Sequence, residues 1–179
     1  NERKVLKMGQ QGKHLNSIKV SHEKHTAGCA TEIMAIPETV CISMSQHIGA
    51  PCKPLVKKGD QVKVGQLIGD TDAFVSAPIH SSVSGTVKEI STIRSVTGGD
   101  DQVVIIETDG NQDVYEEIKP PVINDMKDFI AAVRASGLVG LGGASFPTHI
   151  KLNPKNLEEV DTLIVNAAEC EPFITSDNR

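Results

Sequence analysis

The chain has 179 residues, 39% of them hydrophobic and 23% charged, with a formal net charge of −5. This length holds one or two domains with a real core, and with no Trp and only 3% aromatic residues that core is expected to be Val, Ile, Leu and Ala. The negative balance gives no support for a nucleic-acid surface, no apolar run is long enough to span a bilayer, and no signal-peptide pattern opens the chain.

Residues 1–37 are polar and weakly periodic, and read as an extended arm with one strand signal at Ile33–Ile36. The first residue is Asn1 rather than Met, as expected of a trimmed or expressed fragment. His14, His22 and His25 fit no metal-ligand spacing and read as solvated side chains. Cys29, Cys41, Cys52 and Cys170 form no Cys-x-x-Cys pair, so neither a zinc ribbon nor an iron–sulfur ligand set is written into this stretch.

Residues 38–108 are dense in short strand signals. The candidates are Val40–Met44, Leu55-Val56, Val62, Leu67-Ile68, Ala73–Val75, Val83–Ile90 and Val103–Glu107. Lys58-Gly59-Asp60 and Gly69-Asp70 punctuate them as turns. The run from Val56 to Ile68, followed by Ala77-Pro78 and by Val83 to Val87, resembles a biotinyl/lipoyl-like domain, or barrel-sandwich hybrid. That resemblance implies a flattened barrel of two similar halves. A carrier of this kind presents a lysine at the hairpin tip between the halves. Here the tip reads Asp70-Thr-Asp-Ala-Phe74, and no Lys lies between Lys63 and Lys88. Without that amine no amide-linked cofactor can be attached, so the barrel reads as a structural or docking module. His47 and His80 read as hydrogen-bonded packing residues, and the Ala50-Pro51 and Ala77-Pro78 pairs as fixed turns.

The acidic stretch 109–123 reads as a linker ending at the Pro120-Pro121 boundary. Asn124 or Asp125 can cap a helix running through Ser136, with Phe129, Ile130 and Val133 at helical spacing. Gly137 suits the left-handed position that ends it. Gly140, Gly142 and Gly143 follow, in a loop whose backbone a ligand can approach closely because glycine has no Cβ. Thr148–Leu152 is expected to open a further helix, its N–H groups facing a phosphate. Thr162–Val165 reads as a buried strand ending in Asn166, Glu169 and Glu171. Polar groups at the carboxyl end of a strand, beside a glycine loop, are what a nucleotide pocket in an α/β sheet requires. The expected fold class is therefore α+β: the barrel, then over 124–179 the truncated start of an α/β domain.

Two motifs, Gly140-Leu-Gly-Gly-Ala-Ser-Phe-Pro-Thr-His-Ile-Lys151 and Asn166-Ala-Ala-Glu-Cys-Glu-Pro172, resemble the flavin-binding motifs of the C subunit of the Rnf complex. They are similar, more distantly, to the flavoprotein subunit of respiratory complex I. Ser45-Gln-His-Ile-Gly-Ala-Pro51 and the stretch from Phe74 to Val87 resemble the same Rnf protein. The resemblance implies a domain that binds FMN and NAD(H). It gives Gly140, Gly142 and Gly143 close backbone approach to the flavin, Lys151 a positive charge or hydrogen bond, and Phe146 an apolar wall or stacking face. It gives Asn166 and Glu169 contacts to the flavin ring or ribityl chain, and Glu171 the nicotinamide side. Ala168 and Cys170 stand where the complex I branch has Asp and Gly. No side chain is expected to act as acid or base, because hydride chemistry belongs to the flavin.

The whole reaction implied is electron exchange between NADH and ferredoxin, coupled elsewhere in a membrane complex to ion movement. The protein would sit peripherally on the cytoplasmic face of the bacterial cell membrane, in contact with other subunits and indirectly with ferredoxin. Its two [4Fe–4S] clusters are expected on cysteine motifs absent from this sequence. A soluble or microcompartment relative, the A subunit of the sodium-pumping quinone reductase, and a non-catalytic docking module are the competing readings. The intact glycine loop argues against the quinone reductase.

Overall fold

The computed structural model describes residues 21–95, 98–141, 143–164 and 171–175. The chain divides into two compact units, Ile33–Leu163 and a second made of Asn1–Glu32 with Ile164–Arg179. In the larger unit seven strands come first: β1 (Thr39–Ser43), β2 (Lys53–Pro54), β3 (Gln61–Val62), β4 (Leu67–Asp70), β5 (Ile79–His80), β6 (Gly85–Arg94) and β7 (Asp100–Thr108). They form two sheets, ordered β1-β7-β6-β3 and β2-β4-β5, with every pairing antiparallel. Strand alternation builds the core between them. Val40 faces Ile106 and Ile42 faces Val104 across the β1–β7 ladder, and opposite residues share one face of a sheet. Those side chains meet Ile68 and Ile79 of the second sheet in one buried cluster with Met44, Val62 and Val87. This agrees with the barrel that the resemblance to a barrel-sandwich hybrid implies, with a core rich in Val and Ile and without aromatic residues.

Several boundaries differ from the sequence reading. Ala73–Val75 is a bend, not a strand. The Ser76 hydroxyl donates to the Ala73 carbonyl (2.6 Å) and closes the tip on itself. β5 pairs with β4 although its two residues are too few to carry a periodic signal. Ile33–Ile36 forms no strand and is solvent-facing. The stretch 109–118 is fastened to the barrel. Val64 N–H donates to Asp113 O (2.9 Å) and Tyr115 N–H to Val64 O (3.0 Å), and Ile118 packs on the face of Gly65.

Two helices follow, α1 (Met126–Ala135) and α2 (Thr148–Lys151), then a short 3₁₀ turn at Leu157–Glu159. The α1 start is a local code: the Asp125 carboxylate accepts from Asp128 N–H (2.8 Å), and the Asp128 carboxylate accepts in turn from Asn124 N–H. Ser136 is the C-cap, and Gly137 takes the left-handed conformation, φ 71°, that ends such a helix without a Cβ penalty. The expected buried strand at Thr162–Val165 is a correction. Over its described part, Thr162–Ile164, the chain is irregular and exposed, with Leu163 at 80% and Ile164 at 85%. A strand needs a partner backbone, and among the described residues no strand lies beyond Thr108 to supply one.

Candidate functional site

The glycine loop is a closed hairpin between α1 and α2. Thr148 N–H donates to Leu138 O (3.0 Å), and Gly140 N–H to Phe146 O (3.0 Å), around a bridge between Val139 and Pro147. Ser145 sits at φ 51°, a left-handed conformation uncommon for a residue with a side chain. The structure brings Gly140, Phe146 and Lys151 together. A Cβ at Gly140 would lie 3.0 Å from Lys151 Nζ, so the ammonium rests against the loop backbone. At Gly143 a Cβ would meet nothing within 4 Å. The loop is open at Gly143, where a Cβ would have free space; Phe146 is half-buried and Lys151 is exposed with its ammonium beside Gly140. Glycine backbone beside an ammonium suits an anion.

The remaining predicted site residues are placed otherwise. Gly142, Asn166 and Glu169 lie outside the described residues. Glu171 is exposed and belongs to the smaller unit. There the arm pairs with the end of the second motif. Glu23 N–H donates to Pro172 O (3.1 Å), Lys24 Nζ to Glu171 O (2.8 Å), and the Thr26 and Thr175 hydroxyls bond each other (2.9 Å). The His25 and Phe173 rings lie 6.3 Å apart. These contacts from the arm were not legible in its weak periodicity. The expectation that the α2 N–H groups are open to a phosphate is also modified. The helix is only four residues long, and its first N–H is already taken by Leu138 O.

Residues of the barrel contact the end of α1 and both ends of the loop. Arg134, in the last turn of α1, donates from Nη2 to Asp70 Oδ1 (2.9 Å) and from Nη1 to Oδ2 (3.3 Å), and Nη2 also donates to Thr71 O (3.0 Å). Burial alone would push the Asp70 carboxyl up. The Arg134 hydrogen bonds and charge, with the Thr71 N–H, more than offset this and hold it below its usual range. Ile48 N–H donates to Ser145 O (3.3 Å). A Cβ at Gly137 would stand 2.5 Å from Pro78 O and 3.2 Å from His80 Nδ1. His80 is held below the usual histidine range by burial, against the pull of the Asp70 charge. His47, as expected of a lone His beside apolar residues, is a hydrogen-bonded packing residue: its Nε2 accepts from Ala77 N–H (3.1 Å).

His149 lies within the first motif but carries no role that the motif implies. It is buried in α2, its Nδ1 has no hydrogen-bond partner among the described residues, and burial followed by the Arg134 charge lowers its pKa. It borders a cleft of about 360 Å³ between α1 and α2, floored by Met126, Ile130 and Ala131. Among the described residues no cluster of His, Cys, Asp or Glu is arranged to hold a metal. No helix among them is long and apolar enough to cross a membrane.

Residues 13–111 match the RnfC barrel sandwich hybrid domain, and residues 133–179 match the Nuo51 FMN-binding domain. The chain is 44% identical, over 98% of its length, to the C subunit of the proton-translocating ferredoxin:NAD(+) oxidoreductase complex of Clostridium ljungdahlii, covering 38% of that protein. It is 48% identical, over 79% of its length, to the C subunit of the Na(+)-translocating ferredoxin:NAD(+) oxidoreductase complex of Acetobacterium woodii, covering 33% of it. The C subunit of the ion-translocating oxidoreductase complex of Rhodobacter capsulatus is 37% identical over 89% of the chain, which covers 31% of that relative. The chain thus spans about a third of the length of the curated relatives it matches.

Proposed function

Because the chain belongs to the RnfC family, the C subunits of ion-translocating oxidoreductase complexes, we propose that it supplies the glycine-loop half of an FMN and NAD(H) site. The complete protein is then a peripheral subunit on the cytoplasmic face of the bacterial cell membrane. It passes electrons between NADH and ferredoxin within an assembly of several subunits, whose other members couple that transfer to ion movement. The observation that carries the reading is the meeting of Gly140, Phe146 and Lys151 around a loop left open at Gly143.

The residues present fit FMN. Open space at Gly143 would admit close approach, Lys151 would offset anionic charge, and Phe146 would give an apolar wall. FMN, when bound, exchanges two electrons with NAD(H) and single electrons with iron–sulfur clusters. Asn166 and Glu169 are proposed to bond the flavin ring or ribityl chain, and Glu171 to face the nicotinamide. The two [4Fe–4S] clusters are assigned to the part of the complete protein outside this sequence. In a partly dry site a lysine's charge counts for more than in water, so Lys151→Ala should mainly weaken flavin retention. Glu169→Gln should mainly alter NADH-linked turnover. The test is anaerobic purification of the full-length protein, measurement of its flavin content, and NADH oxidation with an artificial acceptor. Flavin-free protein with undiminished NADH activity would contradict the proposal.

A further inference from the structure

We propose that the barrel tip is a latch that positions the glycine loop, with Asp70 and Arg134 as positioning residues for flavin binding. The inference rests on the flavin reading above. It starts from the fastening of α1, the helix that delivers the loop, onto the barrel. Arg134 makes three hydrogen bonds to the tip, two to the Asp70 carboxylate and one to Thr71 O. A guanidinium fork on a carboxylate fixes direction as well as distance. Three residues on, Gly137 lies flat against Pro78 O and His80, where any side chain would collide.

The far end of the loop is held by the same patch. Ser145 O accepts from Ile48 N–H (3.3 Å), and Ile48 lies in a segment tied to the strand-side of the tip. His47 Nε2 accepts from Ala77 N–H (3.1 Å), and Ala50 N–H donates to Val75 O (3.3 Å). Gly49, at φ 108°, leaves no room for a Cβ, which would stand 2.1 Å from Val75 O. Both ends of the glycine loop therefore bear on one braced surface, residues 47–50 and 70–80. This gives a purpose to the two barrel motifs that the flavin chemistry leaves unused. The hairpin tip, which in a carrier domain holds a swinging lysine, here grips a helix.

The test uses the full-length protein, stripped of flavin and titrated with FMN, following quenching of flavin fluorescence. The variants are Asp70→Asn, Arg134→Met, Arg134→Lys and the Asp70→Asn/Arg134→Met pair. Thermal midpoints and circular dichroism report on the fold. Each of the first two should weaken FMN binding by about tenfold or more, as loss of a charge-assisted hydrogen-bond pair does. The double variant should be no weaker than the weaker single, because the two residues act as one unit. Arg134→Lys should fall between, since an ammonium replaces the fork with one point charge. Should Arg134→Met fail to fold, Asp70→Asn decides, because it changes neither size nor shape. FMN binding within threefold of the unsubstituted protein in a folded Asp70→Asn variant would overturn the latch. Losses that multiply in the double variant would overturn it as well. If the unsubstituted protein does not bind FMN at all, the flavin reading falls first, and the latch with it.

Discussion

The barrel and the segment that follows it treat apolar side chains in opposite ways. Met44, Ile68, Val104 and Ile106 are fully buried in the barrel. Over 126–135 the helix α1 buries no side chain, and Leu141 and Leu163 are exposed at 90% and 80%. The barrel has a buried apolar core of its own. The segment after it meets the barrel through polar contacts at Arg134 and Ser145. A site built this way depends on a few directional bonds more than on packing, and its geometry can change while the fold survives.

The largest effect should separate the two regions. Ile106→Ala removes a fully buried branched side chain from between the sheets, and chemical denaturation should show a loss of about 2–5 kcal/mol. The matching change in α1, Ile130→Ala, acts on a half-buried side chain at the edge of a cleft and should cost about 1 kcal/mol or less. Equal losses would break the comparison. Gly137→Ala comes next. At φ 71°, with Pro78 O only 2.5 Å from the new Cβ, it should cost about 1–3 kcal/mol. It should also weaken FMN binding, which Ile106→Ala in still-folded protein should not.

How much of this was legible follows from the range of each interaction. The α1 helix was readable because its signals are local: Asp125 before it, Phe129, Ile130 and Val133 along one side, Gly137 after it. The barrel strands were readable where alternation ran for several residues, as in β1, β6 and β7, and not at the two-residue β5. Thr162–Ile164 looked like a strand because composition reports burial, whereas a strand also needs a neighbour. At the loop, Lys151 Nζ and the Phe146 backbone lie beside Gly140, residues that one motif already joins within twelve positions. Motif spacing could not show Arg134 reaching Asp70, 64 positions away. Pairing of distant charged side chains leaves no periodic trace in one sequence.

Two smaller effects sharpen the contrast. Asp125→Ala removes the N-cap acceptor of Asp128 N–H and should cost about 1 kcal/mol. Hydrogen exchange should confine the change to α1, leaving barrel amides protected. Acidification should act on the seam between barrel and loop. His80 and His149 both have folded-state pKa values lowered by burial. The unfolded chain then binds more protons than the folded one as pH falls from about 6.5, so stability declines through that window and levels off below the folded values. His149→Gln should flatten part of this slope in a thermal midpoint series from neutral to mildly acidic pH. An unchanged slope would show that His149 does not stay neutral.

The smallest effect on stability should accompany the most telling effect on function. A Cβ at Gly143 meets nothing within 4 Å, so Gly143→Val should leave the thermal midpoint of the full-length protein within a degree or two, as surface changes typically do. It would, however, place branched carbons on the bare backbone that the flavin is proposed to approach. FMN titration of this one variant tests the central claim most directly. The account predicts that flavin binding is lost while the fold is kept. Undiminished FMN binding by folded Gly143→Val protein would contradict it.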